Sequence, residues 1–265
     1  MLRNFFCIFV AGLWTALLFP LTCVAMVITL DAGTSIWWAR ELWSPVLLWA
    51  GGAKLEVIGG ENVDPARPTI YVSNHQSTID IPTLFIALPV RLRYVAKKQL
   101  RYVPAIGWYL WLAGHILIDR SNHKNAIASL DEAGRRIRAG TSIIVYPEGT
   151  RSPDGRVLPF KKGLFALALK AGVAVCPVTI EGSGKLMPKN RWTITPGPIR
   201  VMIGQPIDAS AYGEGERDRL MRDVRREIIN QSLAMGGRGG DVDDAIARRG
   251  LEGVGSGVES RRADT

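Results

Sequence analysis

The sequence predicts an α/β fold: a largely parallel, mixed sheet flanked by helices and preceded by two apolar N-terminal helices. Three observations predict it. Short β-rich runs alternate with helix-like segments after Gly52, an uncharged stretch of 26 residues occupies the N-terminal end, and several charged motifs fall where strands are expected to end. At 265 residues the chain has room for one sizeable domain with short extensions. We divide it into an apolar helical segment at 1–52, an α/β domain at 53–235 and a tail at 236–265. The tail is rich in Gly, Asp, Arg, Ser and Glu and is expected to be disordered.

The N-terminal run FFCIFVAGLWTALLFPLTCVAMVITL, Phe5 to Leu30, carries no charge and exceeds the roughly 20 residues that span a bilayer. It also exceeds the about 7–15 residues of a signal-peptide core, so a retained membrane anchor is expected. Pro20 interrupts the run, and Trp37, Trp38, Trp43 and Trp49 mark a second, interfacial segment. The pair reads either as a hairpin entering one leaflet or as one spanning helix followed by an interfacial one.

In the globular part, strands are predicted at Lys54–Ile58, Thr69–Ser73, Ile116–Asp119, Ser142–Tyr146 and Val173–Ile180. Helices are predicted at Ile81–Leu88, Ser121–Ala139 and Leu164–Lys170. Pro196, Gly197 and Pro198 read as a turn between two strands, Trp192–Thr195 and Ile199–Ile203. An amphipathic helix follows from Glu214 to about Leu233, with Leu220, Val224, Ile228 and Ile229 on its apolar face.

Composition narrows the partners. Thirty-three Lys and Arg against 24 Asp and Glu give a net charge of +9, which favours anionic surfaces or phosphorylated molecules. Three cysteines without a Cys-x-x-Cys spacing argue against a disulfide framework and a zinc site, so no metal is indicated. No nucleic-acid-binding module is present. Glu181-Gly182-Ser183-Gly184-Lys185 is not a P-loop, because Thr179 replaces its first Gly and Leu186 its Ser or Thr.

Three motifs carry chemistry. In Asn74-His75-Gln76-Ser77-Thr78-Ile79-Asp80, His75 and Asp80 would diverge on one helix and meet only if His75 lies in a loop. Asp80 would then fix the imidazole tautomer and leave the other nitrogen as a base toward an alcohol. The same residues also fit a helix cap, with Ser77 and Asp80 as a capping box. In Gly114-His115-Ile116-Leu117-Ile118-Asp119-Arg120, an apolar strand delivers Arg120, whose guanidinium suits a phosphate or pairs with Asp119 on the surface. In Tyr146-Pro147-Glu148-Gly149-Thr150-Arg151-Ser152, Gly149 permits close backbone approach and Arg151 suits a phosphate. Glu148 orders the loop or accepts a substrate hydroxyl there, and the plain alternative is a turn with solvated charges.

Together, and in this order, NHQSTID, GWYLWLAGHILIDR, YPEGTRS and VCPVTI resemble the four blocks of the 1-acyl-sn-glycerol-3-phosphate acyltransferase family. The resemblance runs from about Lys54 to Leu233 and leaves the tail unmatched. It implies that His75 is a general base oriented by Asp80. It further implies that Lys97, Arg120 and Arg151 bind phosphate and that Glu148 and Gly149 shape the acceptor pocket. The implied reaction transfers a fatty acyl chain from acyl-CoA or acyl carrier protein, as co-substrate, to the sn-2 hydroxyl of lysophosphatidic acid. No tightly bound cofactor is implied. Backbone N–H groups near Gly149 are candidates for holding the oxyanion. The implied setting is a membrane, with the catalytic domain on the cytoplasmic face among membrane lipids. Other acceptors, namely glycerol-3-phosphate or another lysolipid, use the same machinery. A hydrolase with Ser77 as nucleophile lacks a Gly-x-Ser-x-Gly signature, and an inert lipid-binding scaffold is a third alternative.

Overall fold

The apolar run folds as one helix, α1 (Leu2–Thr29), which continues through Pro20. A computed structural model describes residues 2–103, 106–119, 123–191 and 193–240. The chain then returns along α1 through α2 (Gly33–Trp38), a π turn at Ala39–Trp43 and α3 (Ser44–Gly51). Cross-bonds fix this two-helix hairpin: the Trp14 indole donates to Leu42 O at 2.9 Å, and the Trp43 indole donates to Thr15 Oγ1 at 2.9 Å. α1 is long and apolar enough to cross a membrane, and most of its apolar window faces outward, 17% being buried.

The hairpin is held alongside the rest of the molecule. Near its start, Ile194 N donates to Asn4 Oδ1 at 3.0 Å; beyond its far end, Arg91 pairs with Asp31 at 3.2 Å. Phe19, between them, meets the Tyr109 ring at 6.3 Å.

Seven strands follow: β1 (Ala53–Ile58), β2 (Ile70–Ser73), β3 (Leu92–Lys97), β4 (Ile116–Ile118), β5 (Ser142–Val145), β6 (Val175–Glu181) and β7 (Gly197–Ile203). Their order across the sheet is β1-β7-β6-β2-β5-β3-β4. Every neighbouring pair is parallel except β6 with β7. The mixed, mainly parallel sheet is therefore as the alternating pattern predicts. Between the strands run α4 (Asp80–Ala87), α5 (Ile106–Leu112), α6 (His123–Arg138), α7 (Gly163–Ala171) and α8 (Ser183–Leu186); α9 (Arg217–Ala234) closes the domain.

One expected strand is absent. Residues 193–196 have no regular structure and Trp192 lies outside the described residues, so β7 alone represents the expected pair. It runs antiparallel to β6 because α8 turns the chain back within a short span, and Gly182 makes that turn possible. Gly182 has φ +94°, and a Cβ there would sit 2.2 Å from Pro198 O.

Strand alternation sorts the core into two layers. Tyr71, Ile144, Val178 and Ile180 face α4 and the N-terminal hairpin; Ile70, Val72, Ile143 and Val145 face α6, α7 and α9. The apolar face expected on the last helix is found, with Leu220, Val224, Ile228 and Ile229 all buried. Residues 236–240, where the tail was expected to begin, pack back on the domain: Gly237 N donates to Ser232 O at 2.7 Å and Val157 N to Gly239 O at 2.7 Å. The remainder, 241–265, lies outside the described residues.

Ile228 is fully buried between α9 and the sheet. Ile228→Ala is expected to cost about 2–5 kcal/mol, read as a lower unfolding midpoint of the detergent-solubilised protein. An unchanged midpoint would mean that α9 does not pack as described.

Candidate active site

The site forms at the C-terminal ends of the central parallel strands, where a sheet of this kind leaves a crevice. β2 ends at Ser73, and the next residue locks the loop to the neighbouring strand. Asn74 Nδ2 donates to Ile180 O at 2.9 Å and Asn74 Oδ1 accepts Ile180 N at 2.8 Å, so one buried amide extends the ladder between β2 and β6. His75 follows in the loop, and Asp80 opens α4.

The five-residue separation closes as the loop reading requires. His75 Nδ1 lies 2.7 Å from Asp80 Oδ2, and the same oxygen accepts Gln76 N at 2.8 Å and Ser77 N at 2.9 Å. Neither Ser77 nor Asp80 is the cap: the N-cap of α4 is Ile79, without a side-chain bond, and Asp80 instead turns its carboxylate back onto the loop. Two backbone N–H donors already occupy Oδ2, which makes Nδ1–H the third donor and leaves the Nε2 lone pair available. Asp80 is fully buried while the His75 side chain retains 16% exposure. The imidazole stacks on Tyr146 with ring centroids 3.9 Å apart and planes 13° from parallel.

The loop after β5 packs onto the His75 loop. Ser152 N donates to His75 O at 2.6 Å, and His75 N points at Glu148 Oε1 at 3.4 Å. Burial pushes the Glu148 carboxyl up to about 8, against the downward pull of backbone bonds from His75 and Leu158. The charge of nearby Asp80 adds to the rise. Gly149 has φ +72°, and a Cβ there would collide with the Lys161 side chain, 2.5 Å from Nζ. Its N–H bonds Tyr146 O at 3.1 Å, so that N–H serves the turn rather than an oxyanion. Arg151 Nη1 donates to Thr78 Oγ1 at 3.0 Å, which places a guanidinium on the rim of the His75 loop.

The structure thus brings His75, Asp80, Glu148, Gly149 and Arg151 together. Lys97 ends β3 at the same edge, exposed, two strands from β2 and so roughly 10 Å across the sheet. Arg120 lies outside the described residues. Neighbours that sequence reasoning passed over complete the site. Tyr146 supports the imidazole. Gln76 joins the loop to Gly155 O and to Gly184 N. Lys189 holds Arg151 O at 2.8 Å and Thr150 Oγ1 at 3.1 Å. Tyr146 and Gln76 stood within motifs already singled out, whereas Lys189 carried no sequence signal.

The alternative nucleophile, Ser77, and a second histidine, His115, are committed elsewhere. Ser77 is fully buried and its hydroxyl donates to Met187 O at 2.7 Å, a poor posture for a nucleophile. His115 accepts Tyr94 N at Nδ1 at 2.9 Å, and burial, with Arg93 nearby, pushes its imidazole down to about 3. Among the described residues no cluster of three or more His, Cys, Asp and Glu side chains gathers as a metal site.

Comparison with known proteins extends the resemblance. The Acyltransferase family model matches residues 54–181. The 1-acyl-sn-glycerol-3-phosphate acyltransferase of Chlamydomonas reinhardtii is 37% identical over 71% of this chain and 60% of its own length. The human alpha form is 32% identical over 71% of this chain and 68% of its own. The chain spans little more than half the length of the chloroplast relatives, 54% for the one from Brassica napus. The crystal structure of the 1-acyl-sn-glycerophosphate acyltransferase from Thermotoga maritima superposes with a TM-score of 0.78 at 29% identity, covering 89% of this chain and 96% of that one.

Glu148 gives a test in pH. Its folded value near 8 exceeds the ordinary 4.5, so the folded state binds the extra proton between those values. The stabilisation is complete below about pH 4.5 and is lost as pH rises through 8. The unfolding midpoint should therefore fall over that window for the parent relative to Glu148→Gln. Parallel curves would mean that the carboxyl is ionised in the fold.

Proposed function

This chain belongs to the 1-acyl-sn-glycerol-3-phosphate acyltransferase family, and from that membership we propose the reaction that it performs. The protein moves a fatty acyl group from an acyl thioester to the sn-2 hydroxyl of 1-acyl-glycerol-3-phosphate and releases phosphatidic acid and a free thiol. The donor is acyl-CoA or acyl carrier protein. The observation that carries the mechanism is the 2.7 Å contact of His75 Nδ1 with a buried Asp80 oxygen that two backbone N–H groups already hold.

In this reading Nε2 takes the proton of the sn-2 hydroxyl as its oxygen attacks the thioester carbonyl. The tetrahedral centre collapses, the C–S bond breaks, and the imidazolium returns the proton to the departing sulfur. Asp80 keeps Nδ1–H in place and stabilises the positive ring between the two transfers. Tyr146 restricts the ring to one plane, so the lone pair points consistently into the crevice. Arg151, with Lys97 and Arg120, binds the acceptor phosphate, a role suited to a guanidinium with a fork of donors. Glu148 and the turn at Gly149 shape the pocket wall, with the Glu148 carboxyl protonated near neutral pH and able to donate a hydrogen bond.

The N-terminal hairpin attaches the enzyme to the bilayer that holds the acceptor and the product. Contacts of the hairpin with the α/β domain near both ends of α1 support a helix that runs beside the domain rather than away from it. It lies in one leaflet. Acyl thioesters are cytosolic and the net charge is +9, so the domain rests on the cytoplasmic face, where anionic lipids attract it.

His75→Ala should lower the acyltransfer rate by about 10²–10⁴-fold, and Asp80→Asn should reduce kcat by removing the negative charge that stabilises the imidazolium and holds its tautomer. Both are read in a purified-enzyme assay that crosses several lysolipids with the two donor types. Undiminished transfer by the His75→Ala protein would remove the imidazole from the mechanism. In sealed vesicles with an outward cytoplasmic face, added protease should cleave the α/β domain; full protection would reverse the orientation.

A further inference from the structure

Beyond the hairpin, the exposed large apolar side chains of the described residues are concentrated in one place. Apart from Val57 and Ile58, they all fall between Leu100 and Trp111. Tyr102 is 74% exposed, Trp108 66% and Trp111 74%, with Leu100 and Val103 beside them. Trp108 and Trp111 are three residues apart on α5 and so share one face. Such a patch is costly in water, and its two tryptophans have an apolar body and a polar N–H, the combination that suits a bilayer interface.

The patch has a definite position. α5 touches α1 through the Tyr109 and Phe19 rings, 6.3 Å apart. The flanking residues of α1, Leu13, Leu17, Leu21 and Val24, are themselves about half exposed or more, so the apolar surface of the hairpin continues onto α5. Positive charge borders it: Lys97 is exposed at the end of β3, and the Arg101 guanidinium lies 5.7 Å from the Tyr102 ring centre. The patch therefore combines aromatic anchors, an apolar face continuous with the membrane helix, and cations for anionic headgroups.

We propose that the segment Leu100–Val103 and the Trp108/Trp111 face of α5 form a second membrane-inserting element, seated in the headgroup region of an anionic bilayer beside α1. It lies between β3 and β4, whose C-terminal ends share the edge that carries His75. Insertion turns that edge toward the lipid surface, so that an acceptor reaches the crevice without leaving the bilayer. The inference rests on the reading of α1 as a membrane helix, and the experiment separates the two.

Single cysteines at Trp111, at Leu13 and at Arg156 carry an environment-sensitive dye, in full-length protein in which Cys23→Ser removes the half-exposed native thiol. Each is reconstituted into vesicles of phosphatidylcholine and phosphatidylglycerol with a bilayer-confined quencher. The result expected is strong quenching at 111 and at 13 and little at 156. Quenching at 13 without quenching at 111 overturns the second element and leaves the anchor standing; quenching at neither overturns both. Loss of accessibility at 111 only on adding acyl carrier protein identifies a protein-docking face and also overturns the proposal. As an independent reading, Trp108→Ser/Trp111→Ser should lose about tenfold in rate on vesicle-borne acceptor and keep its rate on a short-chain, monodisperse one. Equal rates of parent and variant on both acceptors would overturn insertion as the route of delivery.

Discussion

One oxygen atom organises the site. Asp80 Oδ2 accepts one imidazole N–H and two backbone N–H groups from three consecutive residues, His75, Gln76 and Ser77, and it does so in complete burial. A buried carboxylate is costly unless donors replace its water; all three donors converge on Oδ2, while Oδ1 is buried without a hydrogen-bond partner. The requirement acts in both directions. The loop must curl so that Gln76 N and Ser77 N reach the carboxylate, and once curled it has a single place for the His75 ring. The geometry that the proposed chemistry needs is thus the geometry that the buried charge favours.

Everything around this oxygen limits the freedom of the loop. Asn74 fastens its start to β6, Ser77 fastens its middle to Met187, and Ser152 N fastens His75 O from the opposite side. Glu148 is drawn under the His75 backbone, where burial raises its carboxyl rather than leaving a second anion beside Asp80. Two like charges at that distance would oppose each other, and a proton on one of them removes the conflict. The cation on the rim, Arg151, is attached to the same loop through Thr78, so the His75 loop and the cation are held as one body.

Much of this was legible in the residues, and the parts that were not have physical reasons. Apolar strands such as Ser142–Val145 and the i, i+4 stripe of Leu220, Val224 and Ile228 are simple periodic signals, and they folded as read. β3 was not legible because Arg93 breaks its apolar run; in the fold Arg93 is 8% exposed, and burial lowers the pKa of its guanidinium while nearby Tyr109 opposes the drop. The strand expected at 192–195 had the right β-branched residues, yet Thr195 N bonds Leu186 O and Ile194 N bonds Asn4, so tertiary contacts replaced a ladder. The His75–Asp80 pair was readable through the family resemblance, because the spacing by itself fits a helix cap as well, and the fold brings the two side chains within 2.7 Å. Lys189 was not, because a lysine in a loop signals nothing until the fold brings Thr150 and Arg151 to it.

The hairpin and the crevice are coupled by the same covalent economy. α3 leads directly through Gly52 into β1, and α2 and α3 pack on the sheet face that also carries α4, the helix that Asp80 opens. Leu48 and Ile36 share a core with Leu84 and Phe85. The helix that starts at the buried carboxylate therefore rests on the helices of the N-terminal hairpin, with no flexible linker between them. In the proposed membrane setting, a rigid connection of this kind would fix the depth of the imidazole relative to the membrane surface, because tilting the hairpin must tilt the sheet with it. An acceptor whose hydroxyl sits at a set height above the acyl region would then meet the base without any movement of the loop.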